Sequence, residues 1–345
     1  MATSQHTHNQ PQFPAAWQAV VNDAAGALRR LALNEDAKER FCHDPMLKPF
    51  LAKVSGRYVA GETIEQGVNA VHAIVARGHA ASVEYMGESC RDRARADVET
   101  AIFLRLIATL DASNLPTTIS LDLSHIGSAI DPELGFVNAR RIGTAAGRGR
   151  RELMISMEGS DRADVIYTIY RRLHDEGAHH VGVTVPARLH RTEQDLPALM
   201  QYPGRIRLVK GAFGESSDVA LARDDPSLAV RYCAFAAQLI AGGRPCSIAT
   251  HDRVVQRQVT ELIGPEVAQR QRVEFESLMG LGTEQIGDLH QLGYPTREYA
   301  VFGTEYFLYV LNRIAEEPVR VYQALTDLLA PAVPGSGQVW PPPAV

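Results

Sequence analysis

No run in this 345-residue chain is apolar for long enough to span a bilayer, which argues against an integral membrane segment. Basic residues are not in excess: 35 Lys and Arg face 40 Asp and Glu, for a net charge of -5. With no basic stripe interleaved with aromatics, a nucleic-acid partner is not expected. Cysteine is scarce. Cys42, Cys90, Cys233 and Cys246 include no CxxC pair, so they read as reduced thiols, some of them in the core. The 12 histidines are scattered and form no HExxH or comparable ligand spacing, so no metal site is expected. The stretch from Met1 to Phe13 lacks the charged start and apolar centre of a signal peptide. Residues 1–13 therefore read as a disordered tail, and the expected location is cytoplasmic.

What is present is an ordinary globular composition, 45% hydrophobic and 22% charged. The length suits two average domains, or one α/β barrel with an added helical segment. Residues 14–80 read as that helical segment: Ala24, Ala25, Leu28 and Leu31 are helically spaced, and a further helix is expected from about Thr63 to Ala76. A different rhythm follows, in which short β-rich runs alternate with helical stretches. The runs are 82–86, 118–123, 153–157, 181–185, 206–210, 246–250, 273–276 and 298–302. Alternation of this kind implies parallel pairing through right-handed crossovers, and eight units imply a closed (β/α)8 TIM-type barrel over residues 81–318. The competing fold, a doubly wound open sheet, usually carries GxGxxG after its first strand. Here that turn reads Gly87-Glu88-Ser89, and the cluster Gly143, Gly147, Gly149 reads as a helix end. Residues 319–345 read as a C-terminal helix followed by a disordered Pro/Gly-rich tail.

Polar residues occupy most of the strand runs or their ends: Glu84, Asp122, Ser156, Thr184, Arg207, Lys210, His251, Glu274, Glu276 and Tyr299. Barrel enzymes place reactive groups at strand C-termini, and a charge in an apolar strand needs a partner or a ligand. For any one residue an internal salt-bridge layer is an equal account; the set as a whole points to a site.

The segment Arg207-Leu208-Val209-Lys210-Gly211-Ala212-Phe213 resembles the RLVKGAY segment of proline dehydrogenases. Other segments agree in order. Ser82 to Glu88 resembles the family's first strand, and Leu189 to Leu196 its segment after strand four. Ala249-Thr250-His251-Asp252 matches its THD motif, and Glu274 to Gly280 resembles its EFQxLxG motif. Tyr299 to Gly303 and Tyr309 to Pro318 resemble its ending. The resemblance implies non-covalent FAD and hydride transfer from a carbon beside nitrogen to flavin N5, with a small amine or imino acid as substrate and a quinone or oxygen as acceptor. It implies Arg207 by flavin N5, and Lys210, Gly211 and Ala212 along the ribityl and phosphate side. Thr250 and His251 would meet the cofactor's polar chain, Tyr299 would pack on the substrate ring, and Arg313 would bind the substrate carboxylate.

Four positions depart from the family's pattern. Its strand-two Lys is Asp122 here and the first Arg of its final helix is Asn312, so only Arg313 remains of a carboxylate clamp. Its strand-three Asp is Ser156, and its strand-four Gln is Pro186, which has no N–H to donate. An acid in place of the Lys repels a carboxylate by ~1 kcal/mol or more, and a lost charge-assisted bond costs a further ~1.5–3 kcal/mol. Proline itself is therefore expected to bind weakly, with Asp122 facing a cationic or hydrogen-bond-donating group of the substrate. The alternative is a family member that has lost flavin or proline chemistry and uses the barrel for another reaction or for binding.

Overall fold

The computed structural model describes residues 15–87, 90–317 and 319–329. Both expected disordered tails, Glu88 and Pro318 lie outside them. The described residues divide into two compact units, one formed by residues 57–304 and one by residues 15–56 together with 305–329.

The larger unit is a closed barrel of eight parallel strands in sequential order. These are β1 (Ala80–Tyr85), β2 (Thr117–Leu121), β3 (Leu153–Ile155), β4 (Val181–Pro186), β5 (Ile206–Val209), β6 (Cys246–Ala249), β7 (Val273–Leu278) and β8 (Thr296–Phe302). Each coincides with one of the eight expected runs. One face of each strand carries apolar residues: Val83, Ile119, Ile155, Val183, Leu208, Ile248 and Phe275 are fully buried. Helices cover them, such as Ala163–Asp175, whose Ile166, Ile169 and Leu173 form one buried stripe. Of the glycine cluster, Gly149 ends the helix Pro132–Arg148, while Gly143 and Gly147 lie within it. The helix Ile64–Ala76, fixed by a reciprocal capping box between Thr63 and Gln66, falls in this unit and not with the helices before it.

The other strand face points into the barrel, where the packing is ionic. Arg207 on β5 donates to both carboxylate oxygens of Glu276 on β7 (2.8 Å each) and reaches Ser82 and Ser120 on β1 and β2. Such partners can meet only across the interior. Nearer the N-terminal ends, Glu274 accepts from Arg297 at 2.7 and 3.1 Å and from Ser247 at 2.6 Å, with Arg205 3.3 Å away. Arg297 also donates to the Ala81 carbonyl and to Thr118. Burial alone would raise the Glu274 carboxyl, but Arg205 and Arg297 overcome it and hold it at about 2. The internal salt-bridge layer weighed from the sequence thus exists, and Glu274, Glu276 and Arg207 belong to it.

The smaller unit comprises the helices Ala15–Ala32, Glu35–His43, Lys48–Ser55, Phe307–Glu316 and Val319–Leu329. Asn34 caps the second through the Ala37 N–H. Arg29 donates to the Ala315 carbonyl, Lys38 pairs with Glu305 at 2.6 Å, and the Phe41 and Phe307 rings lie 5.8 Å apart.

Removing one member of a buried ion network strands its partners. Glu274→Ala leaves Arg205 and Arg297 short of an acceptor and is expected to lower unfolding free energy by ~3–5 kcal/mol in urea titrations. Glu152→Ala, at the more exposed rim, should cost clearly less; equal costs would show that the interior network is not the stronger constraint.

Candidate active site

The strand C-termini gather three carboxylates. Glu84 on β1 accepts hydrogen bonds from the Tyr299 hydroxyl on β8 and from Ser156 Oγ, at 3.2 Å, just after β3. Asp122 follows β2 and stands 3.7 Å from the His125 ring. One polar atom each of Glu84, Asp122 and His125 fall within 4.8 Å of one another. Glu158 accepts from the Ser124 N–H at 3.1 Å. Burial, then the charge of Asp122, lifts the Glu84 carboxyl well above its ordinary range, against the pull of Arg207 and Ser156. Burial likewise lifts Asp122 to about 6 despite its bond from Ser156, and burial and Asp122 together lift Glu158. The mouth is thus rich in carboxyl groups held toward their neutral form. The nearby cation, Arg207, is spent on Glu276, and its guanidinium lies 4.8 Å from the Tyr299 ring centroid.

A second group lies at the ends of β5 and β6. Lys210 meets Asp252 at 2.6 Å, and Asp252 also caps the helix Arg253–Leu262 through the N–H groups of Val254 and Val255. Burial would raise Asp252, but Lys210 and these donors hold it below its ordinary value. His251 Nε2 accepts from the Leu278 N–H at 3.1 Å, so the proton of the neutral ring sits on Nδ1. Thr250 is buried, and its Oγ1 accepts from the Asp252 N–H.

Gly211 has φ +108°, and a Cβ there would come within 2.8 Å of the Arg188 side chain and 3.1 Å of Pro186. The space is closed by Arg188, whose guanidinium donates to the carbonyls of Leu221 (twice) and Phe213 and so ties down the loop after β5. Glu215 fastens the same loop to Ser160, after β3, at 2.6 and 2.8 Å. Ala212 is exposed and offers its carbonyl to Arg223.

Arg207, Tyr299, Asp122, Lys210, Gly211, Thr250 and His251 are thus all in the barrel unit, at or near its strand C-termini. Asn312 and Arg313 belong to the helical unit, where Arg313 pairs with Glu316 at 2.6 Å. Arg188 and Glu215 lie in loops without pattern and His125 in a short 3-10 helix, so no sequence signal marked these three. Glu276, one of the polar strand residues, stands where the EFQxLxG motif has Gln, and the substitution is the legible sign of a partner for Arg207.

The site fits a flavin on one observation. Thr184 Oγ1 is buried with no hydrogen-bond partner in the protein, and Thr184 pairs in register with Arg207, on the same inward face.

Comparison with known proteins agrees. The family model described as proline dehydrogenase matches residues 68–318. "Proline dehydrogenase" of Deinococcus radiodurans is 31% identical over 266 residues, covering 76% of this chain and 86% of that protein. "Proline dehydrogenase 1" of Bacillus subtilis (strain 168) is 28% identical over 273 residues, covering 79% and 90%. A crystal structure of proline utilization A from Bdellovibrio bacteriovorus, inactivated by N-propargylglycine, superposes with a TM-score of 0.71 at 14% identity. It shares the fold over 87% of this chain, which spans only 41% of that longer protein.

The raised Asp122 carboxyl sets a pH dependence. An unfolded Asp titrates near 3.8 and the folded one at about 6, so the folded state binds more protons between these values. Stability therefore falls as pH rises through that window. Asp122→Asn is expected to flatten the melting temperature between pH 4 and 6 and to raise it at pH 7. Parallel pH profiles for variant and wild type would refute the assignment.

Proposed function

The chain belongs to the proline dehydrogenase family, and from that premise we propose that it is an FAD-dependent oxidoreductase acting on CH–NH donors, removing a hydride from the carbon beside nitrogen of proline or a related small amine or imino acid. The observation that carries this reading is the inward pairing of Arg207 with Tyr299 directly before the Lys210–Gly211 turn. FAD, when bound, supplies the hydride acceptor. Lys210, the Gly211 backbone, Ala212, Thr250 and His251 would hold its ribityl and phosphate chain, and Thr184 and Arg207 its ring. Tyr299 packs the substrate ring from β8, and its hydroxyl is oriented by Glu84.

At the substrate end, Asp122, Glu84 and Glu158 favour a cationic or hydrogen-bond-donating group. Arg313, with Asn312 beside it, is the carboxylate partner retained from the family's clamp. A quinone or oxygen would reoxidise the flavin. No helix among the described residues is long and apolar enough to cross a membrane, and we place the enzyme in the cytoplasm on the sequence reading alone.

The purified protein is expected to be yellow and to bleach without oxygen when the right amine is added. A colourless protein that FAD cannot reconstitute would favour the alternative, a barrel that has lost flavin chemistry. Asp122→Lys with Asn312→Arg should raise kcat/KM for L-proline by roughly 10- to 100-fold, the equivalent of one restored charge-assisted bond. Rapid bleaching of the wild type by L-proline, unchanged in the double variant, would remove the significance given to Asp122.

Glu276 neutralises Arg207, the cation that would lie by the flavin ring. Glu276→Gln frees the Arg207 charge and is expected to shift the flavin midpoint potential upward, because a free cation stabilises the reduced ring. Spectroelectrochemical titration reads this directly, and a potential that stays or falls would contradict it.

A further inference from the structure

The opposite, N-terminal end of the barrel carries a cavity of about 340 Å³ that the flavin chemistry does not use. Its wall comes from the residues that lead into β3, β4, β5 and β7: Arg150 and Arg151, His179 and His180, Arg205, and Arg272. Four arginines and one carboxylate, Glu152, thus line it; Arg151 and Arg205 also donate to the Leu115, Cys246 and Arg272 carbonyls, whereas Arg150 and Arg272 are exposed. Counter-charge from outside the wall is limited. Arg151 leans on Asp111 at 2.8 Å, Arg205 shares Glu152 (2.9 Å) with Arg272 and touches Glu274 at 3.3 Å, and Arg150 meets no carboxylate among the described residues.

The backbone explains how two of these side chains come to the rim. Among the described residues three non-glycine positions have positive φ, and two of them are Arg150 (φ 56°) and Arg272 (φ 58°) on this rim. An arginine is disfavoured in that conformation, where glycine is at ease. Both follow helices, Pro132–Arg148 and Pro265–Gln271, whose last turns they close, and the capping turn sets both arginines on the rim. Guanidinium groups converging from several directions match a compact, multiply charged oxyanion better than a single carboxylate. The volume is at the small end for ligand sites.

We propose that this cavity is a binding site for a phosphoryl anion, either inorganic phosphate or pyrophosphate or the phosphate end of a nucleotide. The anion takes donors of Arg150 and Arg272 that the protein leaves to solvent and competes with Glu152 for Arg205. Because the site lies at the far end of the strands, its occupancy is separable from flavin binding.

The test is calorimetric titration of the full chain with phosphate, pyrophosphate and ADP, at fixed ionic strength set with sodium chloride. Saturable 1:1 binding of pyrophosphate is expected, with at least a tenfold loss of affinity in Arg150→Gly and a larger one in Arg150→Gly with Arg272→Gly. ADP binding tighter than pyrophosphate would identify a nucleotide, and equal binding the free anion. The melting temperature of Arg150→Gly without anion should hold or rise, since glycine suits its φ; a merely structural arginine would lower it. The proposal is overturned if no anion binds saturably, if chloride alone reproduces the effect, or if Arg150→Gly binds as tightly as the wild type. Should the double variant fail to fold, the exposed Arg150 position alone decides.

Discussion

The pairing of Arg207 with Glu276 ties the fold of this barrel to its chemistry. A guanidinium buried in a barrel interior must have its charge matched and its donors filled, and this one spends them on Glu276, Ser82 and Ser120. That fixes β5, β7, β1 and β2 to one another through their side chains as well as through the closed sheet. It also fixes the electrostatics of the mouth. With Arg207 paired to Glu276 from below, its pull on Glu84 and that of His125 on Glu158 are outweighed by burial and by the mutual repulsion of the acids. Those carboxyl groups therefore drift toward their neutral forms.

The barrel was legible from sequence because its signal is periodic. Eight short β-rich runs at regular spacing each became a strand, since the buried outer faces of Val83, Ile119 or Ile248 need branched apolar residues wherever helices cover the sheet. The interior was only half legible. Arg207, Glu274 and Glu276 stood out as charges in apolar runs, but whether they paired with each other or with a ligand depends on distances across the barrel that no linear pattern records. The same limit hid Arg188 and Glu215, whose roles are to hold a loop by reaching backbone carbonyls or a serine far away in the chain. Asp122 and Pro186 were readable only as departures from a motif. The structure supplies part of a reason for Pro186, which helps wall the space at Gly211.

At the mouth, the exchange of a basic residue for an acidic one is not isolated. Ser156 in place of an acid donates to Glu84 where a carboxylate would have repelled it, so the two departures offset each other locally. Such paired change is what a rebuilt pocket requires, because each single reversal of charge in a half-buried site leaves an unmatched neighbour.

The helical unit has a consequence in time. It is assembled from both ends of the chain, with Arg29 and Lys38 reaching partners at Ala315 and Glu305. During synthesis the first helices emerge long before those partners exist. At ribosomal speeds they wait for roughly 10–50 s, ample time for the barrel strands to pair. The amphipathic first helix must stay out of aggregates throughout that interval, which makes the order of emergence a selective pressure on that segment.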